Sequence, residues 1–149
     1  MTESLKHFEE ELKKIQESQA PGEHLLPNCF RFMQGEFLEY QPRQMLKVRF
    51  PVLKESLNPV RKMQGGFIIA AFDNVFGPLS YAAARTICST LNIETHFHRS
   101  VDEGDSLLLI GHVLSRSSMI MHLAGEAYNG KGKLVATCSA SMMIQGDRP

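Results

Sequence analysis

The sequence predicts an α+β fold in which an antiparallel sheet wraps around one long, buried helix. Residues 63–84 begin near a glycine pair, have a helical composition and contain Asp73 as their single charged residue. A helix that is apolar on nearly every face must be buried on most sides. Six segments around this helix have the patterns of strands. An antiparallel sheet that covers one helix is therefore the predicted layer arrangement.

The chain begins with a predicted amphipathic helix within residues 1–20. Its apolar residues recur at spacings of three and four in a charged segment, and they are Leu5, Phe8, Leu12 and Ile15. This spacing places them on one helical face, which we expect to pack against the rest of the protein. Pro21 and Gly22 end the helix, and a single domain is predicted from residue 25 to residue 149.

Two strands precede the central helix and four follow it in the predicted order. They span residues 30–40, 44–52, 87–101, 106–115, 119–128 and 134–144. The run from Asn129 to Gly132 is a hairpin signal between the last two strands. Within the central helix, Pro78 is predicted to kink or end the helix, because proline lacks a backbone donor.

Composition restricts the classes of function. The chain has 149 residues with 16 basic and 16 acidic side chains, so no overall charge would gather nucleic acid or an anionic membrane. Its three cysteines are widely separated, which argues against a disulfide framework or a zinc site. The charged N-terminus is unlike a signal peptide, and no uninterrupted apolar run reaches the roughly 20 residues of a membrane span. We expect a cytoplasmic protein without nucleic-acid or membrane partners.

The start of the central helix and Asp73 are the predicted chemical features. The N–H groups of Gly65 and Gly66 lie in the first turn, where they have no partner within the helix. Free amides there can hold a developing negative charge. Asp73 lies roughly two turns further on, or about 10 Å along the axis. A carboxylate and an amide pair from two subunits can face each other across a dimer seam. Because the helix is apolar on nearly every face, Asp73 is expected to be buried.

A spaced motif connects these residues to a known family. Asn58 is followed six residues later by Gln64, Gly65 and Gly66, and Asp73 comes nine residues after Gln64. This pattern resembles the hotdog-fold thioesterases, in particular the PaaI-like (phenylacetic acid degradation protein-like) branch, in which most members have His in place of Gln64. A glutamine donates a hydrogen bond but cannot transfer protons. The resemblance covers roughly residues 45–145 and includes the segment TLNIETHFHRSVDEGD.

The resemblance implies a single hotdog domain, a homodimer with a continuous sheet that doubles to a homotetramer, and hydrolysis of an acyl-CoA thioester without metal or organic cofactor. It implies that Asp73 activates water or attacks the thioester directly, while the Gly65 amide and Gln64 polarise the carbonyl. Asn58 and Thr90 would position the reactants. Further substrate-binding residues would be Gly66, Arg99 and Arg116, the arginines through the CoA phosphates.

Several of these residues also have a purely structural interpretation. Asp73 can simply lie on the one solvent-exposed strip of the helix. Gly65 can be a glycine only because tight packing of the helix on the sheet leaves no room for a Cβ. Asn58 precedes a proline and can simply form a turn. A slip of one residue in the strand register would put Ser89 in the place of Thr90.

The histidines and cysteines are weaker candidates. His96 and His98 point to one strand face, which permits a metal pair, but no third ligand is evident, so a solvent-facing pair is the favoured interpretation. Cys88 has no His and Asn context for a nucleophile and is interpreted as a buried thiol. The alternative function is a non-catalytic acyl-CoA-binding hotdog protein. A hotdog dehydratase or hydratase is not favoured, because the sequence shows no Asp and His pair with the spacing such an enzyme needs. A DNA-binding acyl sensor is not favoured either, because the sequence contains no separate DNA-binding domain.

Overall fold

The structure is a computed structural model that describes residues 1–24 and 26–145, and it confirms the predicted architecture. The elements are α1 (Glu3–Gln19), α2 (Asn28–Phe32), β1 (Glu36–Gln41), β2 (Met45–Pro51), a short 3-10 helix (Lys54–Ser56), α3 (Gly65–Ala84), β3 (Cys88–Phe97), β4 (Ser106–Arg116), β5 (Ile120–Asn129) and β6 (Leu134–Ile144). The limits 25 and 149 of the predicted domain lie outside the described residues.

The six strands form one sheet in the order β1-β2-β4-β5-β6-β3, and every neighbouring pair is antiparallel. After β2 the chain runs through α3 and returns as β3 at the opposite edge of the sheet. Two tight hairpins then fill the centre with β4, β5 and β6. The strand that follows the central helix is therefore an edge strand.

The core lies between α3 and the face of the sheet that it covers. Phe72 and Phe76 of α3 are fully buried and stack with ring centroids 5.8 Å apart. The sheet accommodates them because Gly125 on β5 has no side chain: a Cβ there would lie 2.9 Å from the Ile110 carbonyl oxygen and 3.1 Å from the Phe72 ring. Burying a side chain of this size contributes about 1.5–3 kcal/mol. The close fit fixes α3 against the centre of the sheet.

The predictions for α3 are confirmed at its start but not at Pro78. The helix begins at Gly65 and continues through Pro78 to Ala84, so the expectation that proline would end it is wrong. Pro78 is buried, and the surrounding packing compensates for one missing backbone hydrogen bond. By length and composition alone, α3 is also long and apolar enough to span a membrane, which sequence reasoning missed. However, 61% of its 18-residue apolar window is buried inside the protein, as in a core helix.

The segment predicted as a strand over 30–40 divides into a helix and a shorter strand. Asn28–Phe32 form α2, and only Glu36–Gln41 form β1. Phe30 and Met33 are both buried, three residues apart, which is helical spacing rather than alternation. At Gly35 the chain turns into β1 so closely that a Cβ would lie 2.6 Å from the Phe30 ring. Aromatic packing therefore overrides the strand-like composition.

All four predicted apolar residues of helix α1 are buried, and Leu5, Phe8 and Leu12 join the same core. Its N-terminus is capped by Thr2, whose Oγ1 accepts a hydrogen bond from the Leu5 N–H at 3.3 Å. Phe8 is fully buried between Phe37 and Tyr40, with ring centroids 5.1 and 4.4 Å away. α1 thus covers β1 and is held by aromatic contacts.

The strand predicted over 87–101 is shorter than expected. β3 ends at Phe97, and the next residues leave the sheet to hold the segment before α3. The Met63 N–H donates to the Val101 carbonyl at 2.9 Å, and Lys62 pairs with Asp102 as an isolated bridge. This contact places the start of α3 beside the end of β3.

Candidate active site

Asp73 and Thr90 are brought together by the structure. The Thr90 hydroxyl on β3 donates a hydrogen bond to Oδ1 of Asp73 on α3 at 2.8 Å. Thr90 pairs with buried Met142 of β6 and therefore points to the helix side of the sheet. Ser89 points the other way and accepts a hydrogen bond from the Gln145 amide. The alternative register with Ser89 beside Asp73 is therefore wrong.

Asp73 is exposed in the single chain, so the expectation of a buried carboxylate is wrong for one chain taken alone. It lies on a strip of α3 that the sheet does not cover. This open strip consists of the exposed or half-buried residues Gly66, Ile69, Ala70, Asp73, Gly77, Tyr81 and Ala84. Apart from Asp73 the strip is uncharged, and much of it is apolar. The sequence could not show which side of the helix the sheet leaves open.

The N-terminus of α3 presents free backbone donors, as predicted. Gln64 precedes the helix, and its N–H donates to the Ser56 carbonyl at 2.8 Å. Within residues 1–24 and 26–145 the N–H groups of Gly65 and Gly66 have no acceptor, and the Gln64 side chain makes no hydrogen bond. Free amides and the positive end of the helix dipole together favour a negatively charged oxygen.

Phe97 is a neighbour of Gly65 that the sequence did not indicate. A Cβ on Gly65 would lie 3.1 Å from Cζ of the Phe97 ring, which is 50% exposed. The ring reaches this place because a β-bulge lies between Thr90 and Asn92, which keeps Thr90 and Phe97 on one face. Strict alternation would separate them. No sequence signal marks this bulge.

Asn58 has the structural role that its position before proline suggests. Its side-chain oxygen accepts hydrogen bonds from the N–H groups of Val60 at 3.1 Å and Lys62 at 3.0 Å. In the part of the chain that the structure describes, the side-chain nitrogen has no partner. Asn58 can therefore offer a ligand a donor, while its oxygen is committed to the turn.

One chain does not bring all the predicted catalytic groups together. Asp73 is eight residues after Gly65 on the same helix, which corresponds to about 12 Å along the axis. A carboxylate and an amide that act on one carbonyl must both lie within hydrogen-bond reach of the reacting group. The Gly65 amide and Asp73 of one chain are therefore too far apart to act on the same carbonyl.

The two predicted substrate-binding arginines lie apart from each other. Arg99 follows β3 and donates to the Leu134 carbonyl at 2.8 Å. Arg116 lies at the end of β4 and donates to the Ala83 carbonyl in the last turn of α3 at 2.7 Å. Ala83 and Gly65 are at opposite ends of the helix. Arg116 is therefore remote from the amides of its own chain.

The histidine pair and the cysteines are accounted for by local contacts. His96 lies 3.4 Å from Glu94, and the His98 ring is 2.9 Å from the Thr137 hydroxyl. Cys88 is buried, and burial raises the pKa of its thiol, opposed by a hydrogen bond to Ser80 and by the charge of Arg116. A thiol held in its neutral form is a poor nucleophile.

Tyr81 and Cys138 are two further neighbours of Asp73 that sequence reasoning missed. Burial is the largest cause of a raised pKa at both, and the negative charge of Asp73 adds to it. Cys138 lies on β6 and accepts a hydrogen bond from the Thr95 hydroxyl at 3.3 Å. Asp73 is therefore close enough to both side chains for its charge to act on them.

A model of the thioesterase superfamily matches residues 63–136, which include α3, the Asp73 and Thr90 pair, the three strands β3, β4 and β5, and the start of β6. The chain belongs to the thioesterase superfamily. No curated protein sequence matches it.

Solved structures place this member of the thioesterase superfamily among the PaaI-like hotdog proteins. A phenylacetic acid degradation-related protein from Ralstonia eutropha is 26% identical over 92% of this chain and 98% of its own, with a TM-score of 0.76. The PaaI protein of Escherichia coli is 15% identical over 92% and 95%, with a TM-score of 0.78. A hypothetical thioesterase from Streptococcus pneumoniae, solved with coenzyme A, is 18% identical over 77% and 91%, with a TM-score of 0.71.

Proposed function

We propose that the protein hydrolyses an acyl-CoA thioester to a free carboxylic acid and CoA. The observation that carries this function is the Asp73 carboxylate, held by the Thr90 hydroxyl on the open strip of α3. Both residues lie inside the segment that matches the thioesterase superfamily. Coenzyme A in the Streptococcus pneumoniae neighbour supports an acyl-CoA as the ligand.

In the proposed mechanism the reaction centre is built from two subunits. The Gly65 N–H of one chain, assisted by Gly66 and the side chain of Gln64, stabilises the carbonyl oxygen as it gains charge. Asp73 of the other chain acts as a general base toward water, or as the nucleophile that attacks the carbonyl carbon. Acyl-enzyme found by mass spectrometry after rapid quenching would indicate the nucleophilic route.

The supporting residues have distinct tasks in this scheme. Thr90 orients the Asp73 carboxylate through its hydroxyl. Asn58 contacts the substrate or water through its side-chain nitrogen, since its oxygen holds the turn. Arg99 on the chain surface binds a CoA phosphate. No step in this scheme requires a metal or organic cofactor.

Two surfaces support a homodimer. The outer edge of β3 has no strand beside it in the described sheet, and a second β3 can pair with it to give a continuous sheet. The apolar open strip of α3 lies next to this edge. Pairing through both surfaces would bring Asp73 of one chain toward Gly65 of the other. A homotetramer and a cytoplasmic location are further proposals that follow the family resemblance.

The test is thiol release across a panel of acyl-CoA substrates, with wild type compared to Asp73→Asn. A general base contributes about 10²–10⁴ to the rate, so the variant should lose at least a hundredfold in kcat. The amide is nearly isosteric with the carboxylate, which separates lost chemistry from lost folding. A loss smaller than about tenfold would count against the assignment of Asp73 as the general base. Acyl-CoA binding by wild type without turnover, left unchanged by Asp73→Asn, would instead favour the non-catalytic binding protein.

A further inference from the structure

Three arginines line the surface at the C-terminal end of α3, away from Gly65. Arg43, Arg85 and Arg116 surround a depression of about 410 Å³, whose remaining lining includes Ala84. A second depression of about 420 Å³ also contains Arg43 and Arg85 in its lining. The two depressions therefore adjoin at these arginines. We refer to the three side chains as the arginine cluster.

No carboxylate of the described residues forms an ion pair with the arginine cluster. Within the described residues, the guanidinium groups of Arg43 and Arg85 have neither an ion pair nor a hydrogen bond. Arg116 uses one nitrogen for the Ala83 carbonyl, which leaves its other donors free. Glu11 in the second depression is held by the Tyr40 hydroxyl at 3.1 Å and by His7 at 3.4 Å. Several guanidinium donors are thus available at one place.

Two of these arginines occupy backbone positions that usually require another residue. Arg43 is the third residue of the β-turn closed by the Gln44 N–H and the Gln41 carbonyl, and its φ is 60°. Arg85 is the C-cap of α3 with a φ of 58°. Gly and Asn are favoured at both kinds of position. A positive charge near a helix C-terminus is favourable, which accounts for Arg85 but not for Arg43 on its turn.

We propose that the arginine cluster binds a phosphate group of a phosphorylated ligand. Guanidinium groups recognise phosphate oxygens through paired, charge-assisted hydrogen bonds. The depression also lies on the same side of α3 as Asp73: Ala84 follows Asp73 by eleven residues, or three turns, at about 16 Å along the axis. Gly77 lies between them, and space for a Cβ is open there. An extended ligand can therefore reach from the carboxylate to the cluster.

The phosphate can come from two sources that share this chemistry. One is the CoA part of the substrate, whose pantetheine arm separates the thioester from the diphosphate; this source rests on the proposed function. The other is a separate phosphorylated ligand that binds independently of the reaction centre. The experiment therefore measures anion binding without turnover, so that a failure of hydrolysis and a failure of the phosphate site are distinguishable.

The variant carries Arg43→Asn and Arg85→Asn, because asparagine tolerates a positive φ. Arg116 is retained, since it also caps α3. The matched control is Arg61→Asn, which replaces an exposed arginine with a φ of 59° elsewhere on the chain. Affinity for pyrophosphate, CoA and dephospho-CoA is measured by isothermal titration calorimetry at fixed ionic strength, and KM for the acyl-CoA substrate is measured in parallel.

Pyrophosphate and CoA should each bind about tenfold more weakly for every arginine removed from the cluster, and the Arg61→Asn control should bind like wild type. A parallel rise in KM assigns the phosphate to the substrate. An unchanged KM assigns it to a separate ligand, and both results support the site. The proposal is overturned if wild type binds neither anion, if the double variant binds as wild type does, or if the control loses as much affinity.

Discussion

Replacement of Gly65 by proline removes a single backbone donor and tests the oxyanion role directly. Gly65 is the first residue of α3, where proline is well tolerated because its missing N–H has no partner within the helix. Gln64 before it has φ −65° and ψ 138°, the extended conformation that a residue before proline prefers. The new ring atoms meet the exposed Phe97 side chain, which can move aside. The fold should therefore persist while the amide is lost.

The expected loss follows from the chemistry of a single oxyanion donor. Removing one costs about 10²–10³ in kcat, or about 2.7–4 kcal/mol of transition-state stabilisation. Gly65→Ala is the matched control, since it adds the same Cβ with its nearest contact at 3.1 Å from Phe97 but keeps the N–H. Thiol release with Ellman's reagent measures both variants. Equal activity of the proline and alanine variants would refute the role of the Gly65 amide.

The same variant also tests whether two chains share each reaction centre. Co-expression of Gly65→Pro chains with Asp73→Asn chains yields mixed dimers in which one centre has both mutations and the other has neither. Half of randomly formed dimers are mixed, so about a quarter of the wild-type rate should return from two inactive parents. If each chain held a complete centre, both centres of a mixed dimer would be damaged. The absence of any recovery in purified mixed dimers would therefore contradict the shared site.

Three further predictions concern the carboxylate, the core and the thiols. Thr90→Val should lower kcat about tenfold or more, because it removes a hydrogen bond to the charged Asp73, while Thr90→Ser keeps it and should retain activity. Gly125→Ala should destabilise the protein by about 1–3 kcal/mol in urea unfolding, since its Cβ would lie 2.9 Å from a backbone oxygen; unchanged stability would contradict this packing. Burial raises the pKa of Cys88, so iodoacetamide should modify exposed Cys29 first near neutral pH and should modify Cys88 appreciably only at alkaline pH. Mass spectrometry follows both reactions, and equal modification rates of the two cysteines near neutral pH would refute this prediction.

The parts of the fold that the sequence predicted best are those in which a local pattern coincides with burial. The last strand was predicted over the residues that form it, Leu134–Ile144, because its apolar alternation and the turn before it agree. The start of α3 at Gly65 was equally clear from the glycine pair and the apolar run. Segment 30–40 failed because its aromatic residues are compatible with either strand or helix, and contacts distant in sequence decided between them.

The candidate site was predicted only as far as residue types and spacing allow. The Asp73 and Thr90 pair depends on the register of β3 against β6, which no sequence pattern specifies across the bulge. The commitment of the Asn58 oxygen to its turn follows from the local Asn and Pro sequence and was foreseen as the structural alternative. The arginine cluster was missed because its members come from three distant parts of the chain.

The exposure of Asp73 has a consequence for how a helix so apolar can carry a working carboxylate. In one chain the open strip keeps Asp73 in water, and its hydrogen bond with Thr90 is made at the surface. Covering the apolar strip with a second chain is favourable, but it also desolvates the carboxylate, which is costly unless donors replace the lost water. Thr90 supplies one such donor before any partner arrives. Association would therefore place a charge that is already oriented into a drier site, where it acts more strongly on a substrate.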